Sequence, residues 1–158
     1  MTPIDAQATP YDDPPLIGAL LRIPWETVRR RMLEGLHERG FTDVNAAHLA
    51  VLQYPGPSGL RPSELAERTR MSKQALNYLL GQMERLGYIT RRDRPQIPGS
   101  KRVELTPRGE EVAYAMRAIV SDLERQWERD LGPKRFAQLR ELLVELQASL
   151  PQPGGPSR

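Results

Sequence analysis

The sequence has 158 residues, 23 Lys and Arg against 20 Asp and Glu, a formal net charge of +3 and no cysteine. That length suits one domain with a real core, or a small domain with added dimerisation helices. The absence of cysteine excludes disulfides, thiol redox sensing and cysteine-rich metal sites, and no apolar run approaches the roughly 18 residues of a membrane-spanning segment.

The opening stretch, MTPIDAQATPYDDPP, is polar and proline-rich. Residues 1–15 are expected to form a loose arm rather than a targeting signal, in a soluble cytoplasmic protein with no membrane partner. A first helix is expected over 16–39, where Leu16, Leu20, Leu21, Trp25, Val28, Met32 and Leu36 recur on one face. Pro24 lies inside this run and predicts a kink or two helical pieces. Gly40 ends it. A second helix is expected to start at Thr42 or Asp43 and run to about Tyr54, with Val44, Ala47, Val51 and Leu52 buried. Pro55-Gly56-Pro57-Ser58-Gly59 breaks the chain, and Leu60-Arg61 can add a very short strand.

The stretch from Arg61 to Thr106 reads as helix, tight turn, helix, strand, basic loop and return strand. Ser63 is the expected cap of its first helix, with Pro62 just outside, and Leu65 and Ala66 face inward. Arg70-Met71 makes the turn, and Ser72 caps the next helix. There Leu76, Leu79, Leu80, Met83 and Leu86 form one apolar stripe, and Gly87 provides a left-handed end. The opposite face carries Lys73, Gln74, Asn77 and Tyr78. Tyr88 to Arg91 alternates as a strand, Arg92 to Ser100 is a loop, and Lys101 to Leu105 returns as a strand. Thr106-Pro107 then opens a long helix, to about Asp130, with Val112, Met116, Ile119, Val120, Leu123 and Trp127 on its stripe. Leu131-Gly132-Pro133 breaks it. A last helix runs from about Lys134 to Leu150. Its Phe136, Leu139, Leu143, Leu146 and Leu150 follow the alternating three- and four-residue spacing of a coiled-coil seam, and residues 151–158 form a disordered tail.

Charge is distributed unevenly. Residues 61–102 hold ten Lys and Arg against four Asp and Glu, hence +6, and the rest of the chain sums to −3. A helix-turn-helix with a basic hairpin wing is a shape suited to duplex DNA. In that reading Lys73, Gln74, Asn77 and Tyr78 reach bases or flanking phosphates, and Gln74 or Asn77 can hold adenine through two hydrogen bonds. Arg61, Ser63 and Ser72 suit phosphates near helix N-termini. Arg92, Arg94, Lys101 and Arg102 suit the sugar-phosphate backbone or a minor groove. Catalysis finds little support. There is no glycine-rich phosphate loop and no nucleophile–base signature, and His37 and His48 sit on different helices. No catalytic residue, metal or cofactor is expected.

The run GLRPSELAERTRMSKQALNYLLGQMERLGYITRR, followed by VELTPRGEE, resembles the MarR family of bacterial winged helix-turn-helix regulators. SELAERT, MERLGYITRR and LTPRG are its most specific parts, and the resemblance covers about residues 16–150. It implies a mainly α fold with a small β-wing. Residues 42–106 would be the DNA-binding domain, and 16–39 with 107–150 the dimerisation helices. Leu16, Leu20, Phe136, Leu139, Leu143, Leu146 and Leu150 would line the homodimer interface. It further implies a transcription regulator, more often a repressor, acting on a near-palindromic operator and released by a small aromatic or phenolic ligand. In the family that ligand lies between the dimerisation helices and the winged domain, where Trp25, Arg29, His48 and Trp127 are the candidates here. The two tryptophans also lie on apolar stripes, where a core role is the plainer reading. The chain departs from the family pattern at Gly99, which stands where the wing arginine of an Asp-x-Arg element is usual, and at Tyr78, near which the family often has arginine. Two other classes remain open: a winged-helix interaction module or antirepressor without DNA binding, and a small-molecule-binding protein without DNA activity.

Overall fold

The computed structural model describes residues 14–53, 59–93 and 101–150. Most of the expected arm, the break at 55–58, Arg94, the loop tip with Gly99 and the tail lie outside these residues. Eight elements follow in order: α1 (Ile17–Glu38), α2 (Ala46–Leu52), α3 (Pro62–Thr69), α4 (Lys73–Arg85), β1 (Ile89–Arg92), β2 (Arg102–Leu105), α5 (Pro107–Leu131) and α6 (Pro133–Ser149). The fold is mainly helical with a small two-stranded antiparallel sheet, the expected winged helix class.

α1 is one continuous helix with Pro24 inside it, not two pieces. Proline removes the N–H that would bond the Leu20 carbonyl. Residues 20–26 are all exposed, so water can serve that carbonyl. The second helix begins later than expected. Asn45, not Thr42 or Asp43, caps α2: its Oδ1 accepts from the N–H groups of Ala47 and His48 at 2.9 and 3.2 Å. His48 Nδ1 returns the bond by accepting from Asn45 N–H at 3.2 Å, a reciprocal cap that fixes the helix start. Ala47 consequently points to solvent, while His48 and Leu49 turn inward with Val51 and Leu52.

Pro62 is the first residue of α3 rather than its neighbour, so Ser63 lies within the helix and does not cap it. Proline's fixed φ and missing N–H suit that first position. Arg70 makes the turn with φ +54°, and Ser72 Oγ caps α4 by accepting from Ala75 N–H at 3.1 Å. Leu76, Leu79, Leu80 and Met83 are buried, and Leu86, just past the helix, is partly buried. Gly87, at φ +78°, lets the chain fold back so that Tyr88 N–H reaches the Met83 carbonyl at 3.0 Å.

That bond explains why β1 begins at Ile89 and not at Tyr88. The Tyr88 N–H closes α4, and its carbonyl accepts from Thr106 N–H at 3.1 Å. The strands pair Ile89 with Leu105 through Arg92 with Arg102. Leu60 bridges the other side of Val103, which is the short strand expected there. Thr106 caps α5 by accepting from Gly109 N–H at 3.1 Å, and its hydroxyl donates to the Gly87 carbonyl at 2.5 Å.

One core joins the C-terminal half of α1, through Met32 and Leu36, to α2, α3, α4, the base of the wing and the buried face of α5. α5 lies along α1, and α6 folds back on α5, burying Phe136. The rest of the α6 stripe, Leu139, Leu143, Leu146 and Leu150, is exposed, as are Leu16, Leu20, Leu21 and Trp25 on α1.

Candidate nucleic-acid interface

The outward face of α4 is an open polar surface of the winged domain. Burying Leu76, Leu79, Leu80 and Met83 forces Lys73, Gln74, Asn77 and Tyr78 to the opposite side. Among the described residues their side chains have no hydrogen-bond partner. Tyr78 is 69% exposed. A groove of about 250 Å³ runs between the first turns of α3 and α4, lined by Pro62, Ser63, Lys73, Leu76 and Asn77. Two helix N-termini border it, and their N–H groups favour an anion. Ser63 and Ser72 are both exposed there. Ser72 already uses its oxygen as a cap, but its hydroxyl proton remains a donor.

Several cations are more committed than the sequence suggests. Arg61 pairs with Glu64, NH2 to Oε1 at 2.8 Å, while Glu64 Oε2 accepts from Arg61 N–H at 2.8 Å. The hydrogen bonds from Arg61 hold the Glu64 carboxyl below its ordinary range. Arg91, at the end of the strand expected from Tyr88, folds back on Glu84 at the end of α4, at 2.7 Å. That bond likewise lowers the Glu84 carboxyl. Arg102 is half-buried and donates to the Gly59 carbonyl at 3.2 Å, anchoring the entry to α3. Arg92 stands opposite Arg102 in the register and is near Glu104 at 3.8 Å. Two cations directly opposite on a ladder repel, an arrangement that a phosphate would relieve. Lys101 is exposed. Arg94 lies outside the described residues.

Sequence reasoning missed a knot behind this surface. Tyr88 donates its hydroxyl to Asp43 Oδ1. Arg108 donates to Asp43 Oδ2 at 2.9 Å and to the Tyr88 oxygen at 3.1 Å, and lies 4.7 Å from the centre of the tyrosine ring. Burial, then the Asp43 carboxylate, push the Tyr88 hydroxyl above its ordinary pKa. The knot joins the lead-in to α2, the junction of α4 and β1, and the first turn of α5. His37 adds a bond from α1, its Nε2 lying 2.8 Å from the Val44 carbonyl.

The four ligand candidates do not converge. Trp25 and Arg29 share a cleft of about 260 Å³ with Met32, Ala46, Leu49, Ala50 and Gln53, between α1 and α2. Trp25 is half-exposed there rather than core. His48 is 2% exposed and borders a different cavity, beside Asp43, Asn45, Gln82, Arg85 and Leu86. Its Nε2 has no hydrogen-bond partner among the described residues, and burial lowers its pKa. Trp127, partly buried on α5, lines neither cavity. Among the described residues no group of His, Cys, Asp and Glu is placed to hold a metal ion. No helix among them is long and apolar enough to cross a membrane.

Residues 40–96 match the sequence model of the MarR family. No curated protein sequence matches the chain. Among solved structures, a MarR family protein of Mycobacterium tuberculosis, in complex with salicylic acid, is 26% identical. That match covers 86% of this chain and 98% of the other, with a TM-score of 0.64. The reduced form of MarR from E. coli superposes with a TM-score of 0.71 at 23% identity, over 85% and 98% of the two chains. MepR of S. aureus, in a complex with DNA, gives 0.67 at 20% identity, over 87% and 100%. The central domain is thus similar to the MarR family, and the fold of the whole is that of the family's solved winged helix structures.

Proposed function

We propose that the protein is a sequence-specific DNA-binding transcription regulator, more specifically a repressor, working in the cytoplasm as a homodimer on a near-palindromic operator. The observation that carries this reading is the free polar face of α4, with Lys73, Gln74, Asn77 and Tyr78 all exposed and without internal partners. α4 would lie in a major groove, with Ser63, Ser72, Arg61, Arg92, Lys101, Arg102 and Arg94 on the backbone around it. Arg61 and Arg102 would have to exchange an internal partner for phosphate. The winged domain, 42–106, would be carried by dimerisation helices at 16–39 and 107–150. The exposed leucines of α1 and α6 are the surface that a second copy would cover. In such a dimer the two copies of α4 would stand about 34 Å apart, one turn of DNA. The S. aureus MepR–DNA complex, on the same fold, supports this reading.

The cleft of Trp25 and Arg29 is the candidate for a small aromatic acid, with a ring to stack and a guanidinium to hold a carboxylate. Salicylic acid bound to the M. tuberculosis relative makes this chemistry reasonable. Release of DNA would require that the ligand favour a dimer whose α4 helices are misplaced. Fluorescence anisotropy tests the central claim. The native intergenic duplex should bind more tightly than a scrambled one, with affinity falling steeply as salt rises. Equal binding to both duplexes would refute sequence specificity. No binding by a folded dimer would favour an interaction module instead.

A further inference from the structure

α4 turns one line of side chains straight away from the core. At 100° per residue, Gln74, Tyr78 and Gly81 lie opposite the buried Leu76, Leu80 and Met83. The large ring in the middle of this line has unusual neighbours. Three residues before it stands Ala75 and three after it Gly81, and nothing lies within 4 Å of where a Gly81 side chain would begin. Neither Ala75 nor Gly81 has a side chain long enough to fold over the ring, which is 69% exposed. So exposed a ring is not part of the core, and it stands on the polar reading face between Gln74 and Gln82, one turn away on either side.

We propose that Tyr78 makes this protein selective for thymine, packing its ring against the thymine methyl group in the major groove while Gln74 or Asn77 holds adenine. The proposal rests on the DNA-binding reading given above. The chemistry of the face is consistent with it. A side-chain amide matches the donor and acceptor of adenine, and the methyl is the apolar group that distinguishes thymine in that groove. Between Gln74 and Gly81 the central line carries no arginine or lysine to take the paired acceptors of guanine. Lys73 stands toward the α3 groove, bordered by Ser63 and Asn77, where a phosphate fits. Arg85 shares the outward side but is the last residue of α4, about 10 Å further along the helix axis than Tyr78.

The experiment uses the full-length protein and duplexes that it selects from a randomised pool. Each thymine of the recovered site is replaced in turn by uracil, which removes the methyl and leaves the base-pairing edge unchanged. With the wild type, a single uracil at one particular position of either half-site should weaken binding about fourfold, the effect of losing one buried methyl group. Tyr78→Ala should be insensitive to that same replacement, while Tyr78→Phe should keep the full sensitivity. Both variants should fold normally, because the ring supports nothing in the core, and circular dichroism checks this. Selective binding with no position sensitive to uracil, or equal sensitivity in Tyr78→Ala, would overturn the thymine assignment and leave the regulator reading intact. Failure to select any sequence would overturn both.

Discussion

α4 and α6 are both amphipathic helices with regular apolar stripes, yet their stripes meet opposite fates. In α4, Leu76, Leu79, Leu80 and Met83 are buried by the same chain, and the polar side is left free. In α6 only Phe136 is buried, and Leu139, Leu143, Leu146 and Leu150 face outward. An apolar stripe states that something must cover it, but not whether the cover is the same molecule. α4 belongs to a unit that closes its own core. α6 and the first half of α1 present apolar surface that a single chain leaves uncovered.

The sharpest test of that contrast is a matched pair of leucine substitutions. Leu80→Ala empties a fully buried site and should lower stability by about 2–5 kcal/mol, read as a reduced urea midpoint. Leu143→Ala removes a side chain that is 41% exposed in one chain. Its effect should depend on protein concentration, because in the proposed dimer only the assembled state would bury it. If Leu143→Ala lowered stability equally at high and low concentration, α6 would not be an interface.

The next largest effect should come from Gly109→Ala. A Cβ built there lies 2.0 Å from the Tyr88 carbonyl oxygen, so backbone must move. A loss of about 1–3 kcal/mol is expected, as for other overpacked sites, with DNA affinity falling with it. Leu143→Asp should alter the winged domain less, preserving its circular dichroism, but should convert the dimer to monomers on gel filtration, since a charge in a packed seam is unfavourable. A dimeric Leu143→Asp protein would contradict the proposed seam.

The smallest effect is a pH dependence inside the closed unit. Burial lowers the His48 pKa in the folded state, so below the ordinary histidine value of about 6.5 the unfolded chain binds more protons. Stability should therefore rise with pH in that window, and be lost as pH falls from about 6.5 toward the folded value. Protonation would also remove the Nδ1 acceptor from the cap of α2. His48→Gln keeps an acceptor at that position without the titration. Its unfolding midpoint should change less than the wild type's between pH 7.5 and 5.5, and identical slopes would assign the acid sensitivity to other groups.

Much of this was legible because it is local. The α4 stripe, the Ser72 and Thr106-Pro107 starts and the Gly87 stop all depend on neighbours within one or two turns. What escaped depends on distant partners. Asp43 has the chemistry of a helix start, and nothing nearby announces that Tyr88 and Arg108 will use both its oxygens. Arg91 looks like a free wing cation until the hairpin brings it to Glu84. His48 looks like a ligand candidate until its ring is needed to close a cap. Trp25 follows the α1 stripe, but the core ends before reaching it. The periodicity continues toward the N-terminus while the packing partner does not.

The junction of Gly87, Tyr88, Thr106 and Gly109 has a mechanical consequence. Thr106 holds the Gly87 carbonyl with its hydroxyl and the Tyr88 carbonyl with its N–H, while Gly109 lets the first turn of α5 sit directly against that backbone. Little slack is left at this joint. In a dimer, a tilt of α5 would carry the end of α4 with it, like a lever with a welded elbow. The separation of the two reading heads would then be set where the long helices meet, far from any base pair.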